Sequence, residues 1–158
     1  MSPIRGTALA LSIVPPSRLA HREPIYARRM AAAPDGYEDL LERPIVGTLA
    51  TIRTDGAPSA TPMWFKWDGE GLRFTHTTKR QKLKNLEADP RLSFTIIDPE
   101  NPYRYLEVRG VLDRVEQDPT GAFYVELGKR YGNAEQTPPP DAEHRVVMVV
   151  TPTGFGTH

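Results

Sequence analysis

Apolar and polar residues alternate over several short stretches of this chain and follow a helical period over only a few. Residues 45–53 (Ile-Val-Gly-Thr-Leu-Ala-Thr-Ile-Arg) are rich in β-branched types and apolar on both faces, which predicts a central strand. Thr54-Asp55-Gly56 is a hairpin turn signal, with Gly supplying positive φ. Residues 59–67 then read as the return strand. Asp68-Gly69-Glu70-Gly71 is a second turn, and Leu72, Phe74 and His76 alternate along a third strand that ends at Thr77. Residues 91–97 (Arg-Leu-Ser-Phe-Thr-Ile-Ile) predict strand four. Residues 103 to about 115 predict a long strand five bent at Gly110, and residues 145–150 (Arg-Val-Val-Met-Val-Val) the last.

Helical signals are fewer. Residues 37–42 predict a short helix with Leu40 and Leu41 inward, stopped before Pro44. A second helix follows Thr78. A third opens at Asp118-Pro119 with Pro at its first turn, buries Phe123, Leu127 and Tyr131, and ends at Gly132. Residues 133–143, with Pro138-Pro139-Pro140, predict an exposed loop. Six strands in mostly hairpin order with two substantial helices describe a mainly β fold, a small antiparallel barrel with peripheral helices. Residues 1–29 carry Pro3, Pro15, Pro16 and Pro24 without periodicity. Residues 1–36 are therefore expected to form a disordered or loosely attached extension, with Met30 an alternative start, and residues 37–158 the folded domain. Residues 6–14 are weakly apolar after Arg5, but Pro15-Pro16 stands where a small-residue cleavage site belongs, so a signal peptide is not expected.

Composition narrows the function classes. The chain has 158 residues, 39% hydrophobic and 25% charged, which suits one soluble domain with one sizeable core. Lys+Arg and Asp+Glu are 20 each, and the zero net charge argues against a nucleic-acid binder held by a whole-domain positive field. There are no cysteines, which excludes disulfides, thiolate metal sites and a Cys nucleophile and suits the cytoplasm. No apolar run approaches the roughly 20 residues that span a bilayer. The histidines at 21, 76, 144 and 158 have no ligand spacing, so no metal site is expected. No Gly-x-Ser-x-Gly, Walker or Gly-x-Gly-x-x-Gly pattern occurs. No catalytic side chain is identifiable, and any enzyme activity would come from a bound cofactor that the protein orients.

One stretch has the marks of such a site. Thr78 and Gln81 have capping-box spacing, yet the first turns that follow carry Lys79, Arg80, Lys82 and Lys84. A helix N-terminus is already partly positive, so this cluster is unfavourable unless an anion sits in it. A solvated basic face is the plain alternative. Pro62 stands in mid-strand, where it cannot donate to a ladder, which marks either an edge strand or backbone freed to face a ligand. Trp64, Phe65 and Trp67 either pack in the core or line a flat ring. Thr75, His76 and Thr77 end a strand beside the basic cluster. Together these fit a ligand with a planar ring and a phosphate tail.

The chain also resembles a known family. Gly47-Thr48-Leu49-Ala50-Thr51-Ile52, Asp55-Gly56-x-Pro58, Thr61-Pro62-Met63-Trp64-Phe65, Lys82-x-x-Asn85-Leu86, Asp89-Pro90-Arg91 and Tyr103-x-Tyr105-Leu106-Glu107-Val108-x-Gly110 are similar to the pyridoxamine 5'-phosphate oxidase-like superfamily. Within it they resemble the actinobacterial oxidoreductases that use the deazaflavin coenzyme F420. The resemblance covers about residues 37 to 153. It implies a six-stranded antiparallel split β-barrel of the FMN-binding type, and a cytoplasmic homodimer with two cofactor sites at its interface. It also implies hydride transfer from the reduced deazaflavin to a small organic acceptor. By the same resemblance, Ala60, Thr61, Pro62, Met63 and Trp64 would line the ring with their backbone. Thr75, His76 and the adjoining Thr77 would contact the ring or ribityl chain. Lys79, Arg80 and Lys82 would hold the phosphate with Asn85 in support, and Tyr103, Arg104 and Tyr105 would come from the partner subunit. Arg73, Lys84 and Arg104 are candidates for a polyglutamyl tail. The C-terminal Arg- and Trp-containing segment of the oxidase proper has no counterpart in residues 150–158, so its substrate is not carried over. The alternatives are an FMN-dependent oxidase or reductase of the same fold and a non-catalytic cofactor carrier. A small-barrel nucleic-acid binder using Trp64, Phe65 and the basic helix is disfavoured by the neutral charge.

Overall fold

A computed structural model describes residues 31–158; the extension expected over residues 1–36 lies outside the described residues up to position 30. Its last residues run along the barrel. The Ala31 N–H donates to the Pro152 carbonyl at 3.4 Å, and Ala33 packs against the main core. Helix α1 (Glu38–Glu42) follows and buries Leu40 and Leu41 as its pattern predicts.

Seven strands form one curled antiparallel sheet, one more than expected. They are β1 (Gly47–Ile52), β2 (Pro58–Met63), β3 (Lys66–Trp67), β4 (Leu72–Thr77), β5 (Arg91–Ile97), β6 (Tyr105–Gln117) and β7 (Arg145–Thr157). The sheet order is β2-β1-β5-β6-β7-β4-β3. The extra strand arises because the expected return strand 59–67 breaks at Trp64-Phe65. Its first half pairs with β1 and its second half with β4, at opposite ends of the sheet. Two residues therefore join the sheet's two edges covalently where no ladder joins them. The seam is held by one side chain. Tyr131 accepts from the Phe65 N–H at 3.2 Å and donates to the Ile45 carbonyl at 2.9 Å, which satisfies backbone groups the break would orphan. Pro62, on edge strand β2, offers no N–H to a further partner.

The last strand is also longer than its apolar run, because residues 151–157 pair with residues 106–111 of β6. Pro152 is tolerated through a shift in register: Arg109 faces Gly154, Gly110 faces Pro152, and Thr153 is left between as a bulge. Gly110 is the expected bend. A Cβ there would lie 2.8 Å from the Thr151 carbonyl oxygen, so the two strands approach closely only because the side chain is missing.

The core fills the inside of the curl. Phe65 and Phe74 each meet Phe94 edge-on at 5.0 Å, surrounded by Leu49, Leu72, Ile96, Leu106, Val108 and Met148. A Cβ on Gly47 would fall 2.2 Å from Phe94 Cζ, so glycine there makes room for the central ring. Helix α3 (Ala122–Arg130) covers the other face, with Phe123 and Leu127 on Val147 and Val149 and with Trp64 and Tyr131 beside them.

Two helix starts differ from expectation. Helix α2 spans Gln81–Ala88 with Arg80 at its N-cap, and the Thr78–Gln81 capping box does not form. The Thr78 N–H is instead taken by the His144 carbonyl at 3.1 Å, and the Gln81 amide donates to Asn85 Oδ1 at 3.0 Å. Helix α3 begins three residues beyond Pro119, after Gly121 in the left-handed region (φ 67°). Asp118 still caps it, accepting from the Ala122 and Phe123 N–H groups at 2.9 and 3.1 Å. Among the described residues no helix is long and apolar enough to cross a membrane, and no group of three or more potential metal ligands occurs.

Candidate functional site

A cavity of about 700 Å³ opens between edge strand β2, the end of β4 and the first turns of α2. Edge strand β2 contributes Ser59, Thr61, Pro62 and Met63, the end of β4 contributes Thr75 and His76, and the first turns of α2 contribute Arg80, Gln81, Lys82 and Asn85. Arg145 enters from β7, and Arg53 and Thr54 from the first hairpin. Strand alternation explains part of this assembly. Leu72 and Phe74 point into the core, and His76, next on that face, reaches the end of the barrel where the core gives way to the opening.

The lining has four cationic side chains, Arg53, Arg80, Lys82 and Arg145, and no carboxylate. Arg53 pairs with Asp55 at 3.0 Å and Arg145 with Asp141 at 2.9 Å outside the lining, whereas Arg80 and Lys82 take part in no ion pair among the described residues. Lys82 is half-buried, and its ammonium donates to two neutral acceptors, Thr61 Oγ1 and, at 3.0 Å, Met63 Sδ. Burial, followed by the charge on Arg80, pushes the Lys82 pKa down to about 8. His76 is 6% exposed. Burial first, then Lys82, Arg80 and Arg145, lowers its pKa to about 4, so the imidazole is neutral at physiological pH. Thr75 Oγ1 and His76 Nε2 are buried without a hydrogen-bond partner. Asn85, 2% exposed, donates to Thr51 Oγ1 at 3.3 Å and fixes α2 against β1.

A surplus of positive charge with unpaired polar groups at its floor is the electrostatic complement of an anion. The arrangement fits a ligand with an acidic tail near Arg80 and Lys82 and a polar body toward Thr75 and His76. No carboxylic acid lines it, and no group of three or more potential metal ligands occurs among the described residues.

Of the expected site residues, Thr61, Pro62, Met63, Thr75, His76, Arg80, Lys82 and Asn85 line this one cavity. Ala60 lies on the exposed face of β2, and Lys79 is solvent-exposed. Thr77 is buried at the strand end, where its hydroxyl accepts from the Lys79 N–H at 3.4 Å. Trp64 turns away to stack on Tyr131 (5.2 Å, 12°), Phe65 is core and Trp67 packs against the core, so none of the three aromatics forms a wall for a ring. Tyr103, Arg104 and Tyr105 do not reach the cavity of their own chain. Arg104 donates to Asp39, Asp98 and the Gly36 carbonyl and lies over the Tyr37 ring, clamping α1 to the β5–β6 loop. Tyr103 is 80% exposed and Tyr105 stacks on His158. Arg73, a candidate for the tail, pairs with Asp68 and Glu116.

Arg53, Thr54, Ser59, Gln81 and Arg145 were not expected. Arg145 begins a strand 68 residues after Thr77, but register sets it directly opposite. Thr54 was read only as a turn, and Arg53 only as a strand end.

Known proteins resemble this chain over most of its described length. Residues 33–158 match the family model described as Pyridoxamine 5'-phosphate oxidase. A pyridoxine/pyridoxamine 5'-phosphate oxidase of Cupriavidus metallidurans is 35% identical over 97 residues, a match that takes in 58% of this chain but only 44% of that longer relative. Among solved structures, one described as an F420 reductase is 57% identical, with a TM-score of 0.76, covering 78% of this chain and 98% of its own. A conserved hypothetical protein of Mycobacterium tuberculosis is 26% identical with a TM-score of 0.63, covering 81% of this chain and 85% of its own.

Proposed function

The chain belongs to the pyridoxamine 5'-phosphate oxidase family, and on that premise we propose that it is a cytoplasmic oxidoreductase that binds coenzyme F420 and transfers hydride from the reduced form to a small organic acceptor. The observation that carries this reading is the cavity with four cations and no carboxylate at the open end of the sheet. The 57% identity to a protein described as an F420 reductase supports the choice of deazaflavin.

In this reading Arg80 and Lys82 hold the phosphate. Lys82 is tethered by Thr61 and Met63, so its ammonium is already oriented. Asn85 supports them by locking the helix that presents both cations. The exposed backbone of β2 from Thr61 to Met63 offers one wall for a planar ring, and Thr75 and neutral His76 offer polar groups at the floor. Arg53 and Arg145 extend the positive track toward an acidic tail, whereas Arg73 and Arg104 do not line the cavity. The chemistry such a cofactor supplies when bound is two-electron hydride transfer at its central ring. The protein aligns ring and acceptor, excludes water, and keeps His76 unprotonated next to the anion-binding group. A homodimer completes the proposal: exposed Val46, Ile97 and Tyr103 mark apolar surface, and Tyr103 is the residue free to reach a partner's site.

Flavin mononucleotide is the second reading, because a phosphate monoester fits the adjoining Arg80 and Lys82 as well as a diester does. Fluorescence titration with coenzyme F420 and with flavin mononucleotide separates the two. Selective, tighter binding of coenzyme F420 is expected; preference for flavin mononucleotide overturns the deazaflavin assignment. Selective deazaflavin binding without turnover of quinone, enone or tetrapyrrole acceptors would indicate a carrier.

A further inference from the structure

The cavity holds one amine among arginines. Of the chain's five lysines, at 66, 79, 82, 84 and 129, only Lys82 lines it. Lys66 is paired with Glu126, and Lys79, Lys84 and Lys129 are exposed on the outer surface. The Lys82 nitrogen has only neutral acceptors, the Thr61 hydroxyl and the Met63 sulfur, and no carboxylate lines the cavity to hold a proton on it. Arg80 lies close enough to act on it, and Arg53 and Arg145 line the same cavity as permanent cations. A desolvated lysine beside other cations is the arrangement that turns an ammonium into an amine nucleophile.

We propose that Lys82 is a covalent capture site for small phosphorylated aldehydes, which seat their phosphate on the cavity arginines and condense with the Lys82 amine. The step balances without a redox partner. The nitrogen lone pair attacks the carbonyl carbon, a C–N bond forms, and the carbonyl electrons move to oxygen, which takes up a proton. The carbinolamine then loses water, both N–H protons having left nitrogen, and an imine remains. Aldehyde plus amine give imine plus water, and the reverse hydration frees the site. The lowered basicity of Lys82 supports the step, since its uncharged fraction near pH 7 is on the order of a hundredfold that of an ordinary lysine. An imine at this position fills the corner assigned above to the cofactor phosphate, so capture and cofactor binding exclude each other. The inference requires only that the cavity takes an anion and does not depend on which cofactor binds.

The test uses the full chain and glyceraldehyde 3-phosphate, with cyanoborohydride to reduce any imine to a stable amine and peptide mass mapping to locate it. Adduct at Lys82 is expected to form at least about tenfold faster than at Lys79, Lys84 or Lys129, allowing for the weaker nucleophilicity of a less basic amine. Unphosphorylated glyceraldehyde should show no such preference, and millimolar inorganic phosphate should protect Lys82 alone. Lys82→Arg should lose the fast adduct while keeping the slow ones. Equal labelling of all lysines, or equal labelling by the two aldehydes, overturns the proposal, whatever the outcome of the cofactor titrations.

Discussion

Lys82 and His76 line one cavity in opposite states, the amine mostly charged although its pKa is lowered to about 8, the imidazole neutral because its pKa is lowered to about 4. Replacing Lys82 by Ala is expected to weaken binding of the deazaflavin by about 1.5–3 kcal/mol, the size of a charged hydrogen bond, as read by calorimetry. Unchanged affinity would place the phosphate elsewhere. Because an anion stabilises the ammonium, the bound pKa lies above the free value of about 8, and wild-type affinity should fall as pH rises beyond 8. Lys82→Arg should flatten that decline. The sign for His76 runs the other way in stability. Its folded pKa of about 4 lies below the ordinary 6.5, so between those values the unfolded chain holds the extra proton and acid destabilises the fold. Urea midpoints should drop from pH 6.5 to 4, at up to about 1.4 kcal/mol per pH unit for this one proton. His76→Gln should remove that slope. Both residues stand out in the sequence because they break a local rule: cations crowd a helix start, and a histidine continues an apolar alternation. Arg145 breaks no rule where it stands, and only strand register brings it to the site.

At the level of elements, the departure from expectation is the broken return strand. Pro62 announces that β2 is an edge, but the break two residues later depends on Tyr131, far along the chain in α3's trailing turn. Tyr131→Phe should cost roughly 1–3 kcal/mol in equilibrium unfolding, since it leaves the Phe65 N–H without its partner and the Ile45 carbonyl without a donor. An unaffected midpoint would mean that water replaces the phenol. The start of α2 departs from its local pattern for a related reason. Thr78 and Gln81 have the right spacing for a capping box, but a tertiary bond to His144 claims the Thr78 N–H first. At Asp118 a distant carbonyl, that of Arg145, likewise takes the backbone N–H, at 2.9 Å, but the carboxylate stays free to cap the helix, whose onset Gly121 displaces by three residues. Asp118→Ala should therefore destabilise by about 1–2 kcal/mol.

Across the whole molecule, a net charge of zero coexists with a cavity lined by four cations, because the acids are distributed over the outside of the barrel in pairs such as Asp39–Arg104 and Asp89–Arg91. The field that an anion meets is local. Cofactor affinity should accordingly decline only modestly between low and physiological salt, far less than the steep power law of a nucleic-acid binder; a steep decline in salt titrations would point back to a polyanion. The antiparallel strands were legible from turn signals between alternating stretches, and so was the inward alternation of Leu72 and Phe74 on β4. The reach of β7 past Pro152 was not, because a bulge at Thr153 repairs what the proline interrupts. The break between β2 and β3 has a further consequence for how such a protein changes over evolutionary time. Because the chain leaves the β1 ladder after Met63, β2 stands at the edge of the sheet, and the cavity beside it takes Arg53, Thr54, Ser59 and Arg80 from outside the cluster packed around Phe94. Substitutions at Arg53, Thr54 or Ser59 can therefore reshape the lining while leaving that packing in place. A cavity walled by an edge strand can change its lining one residue at a time without re-inventing the core.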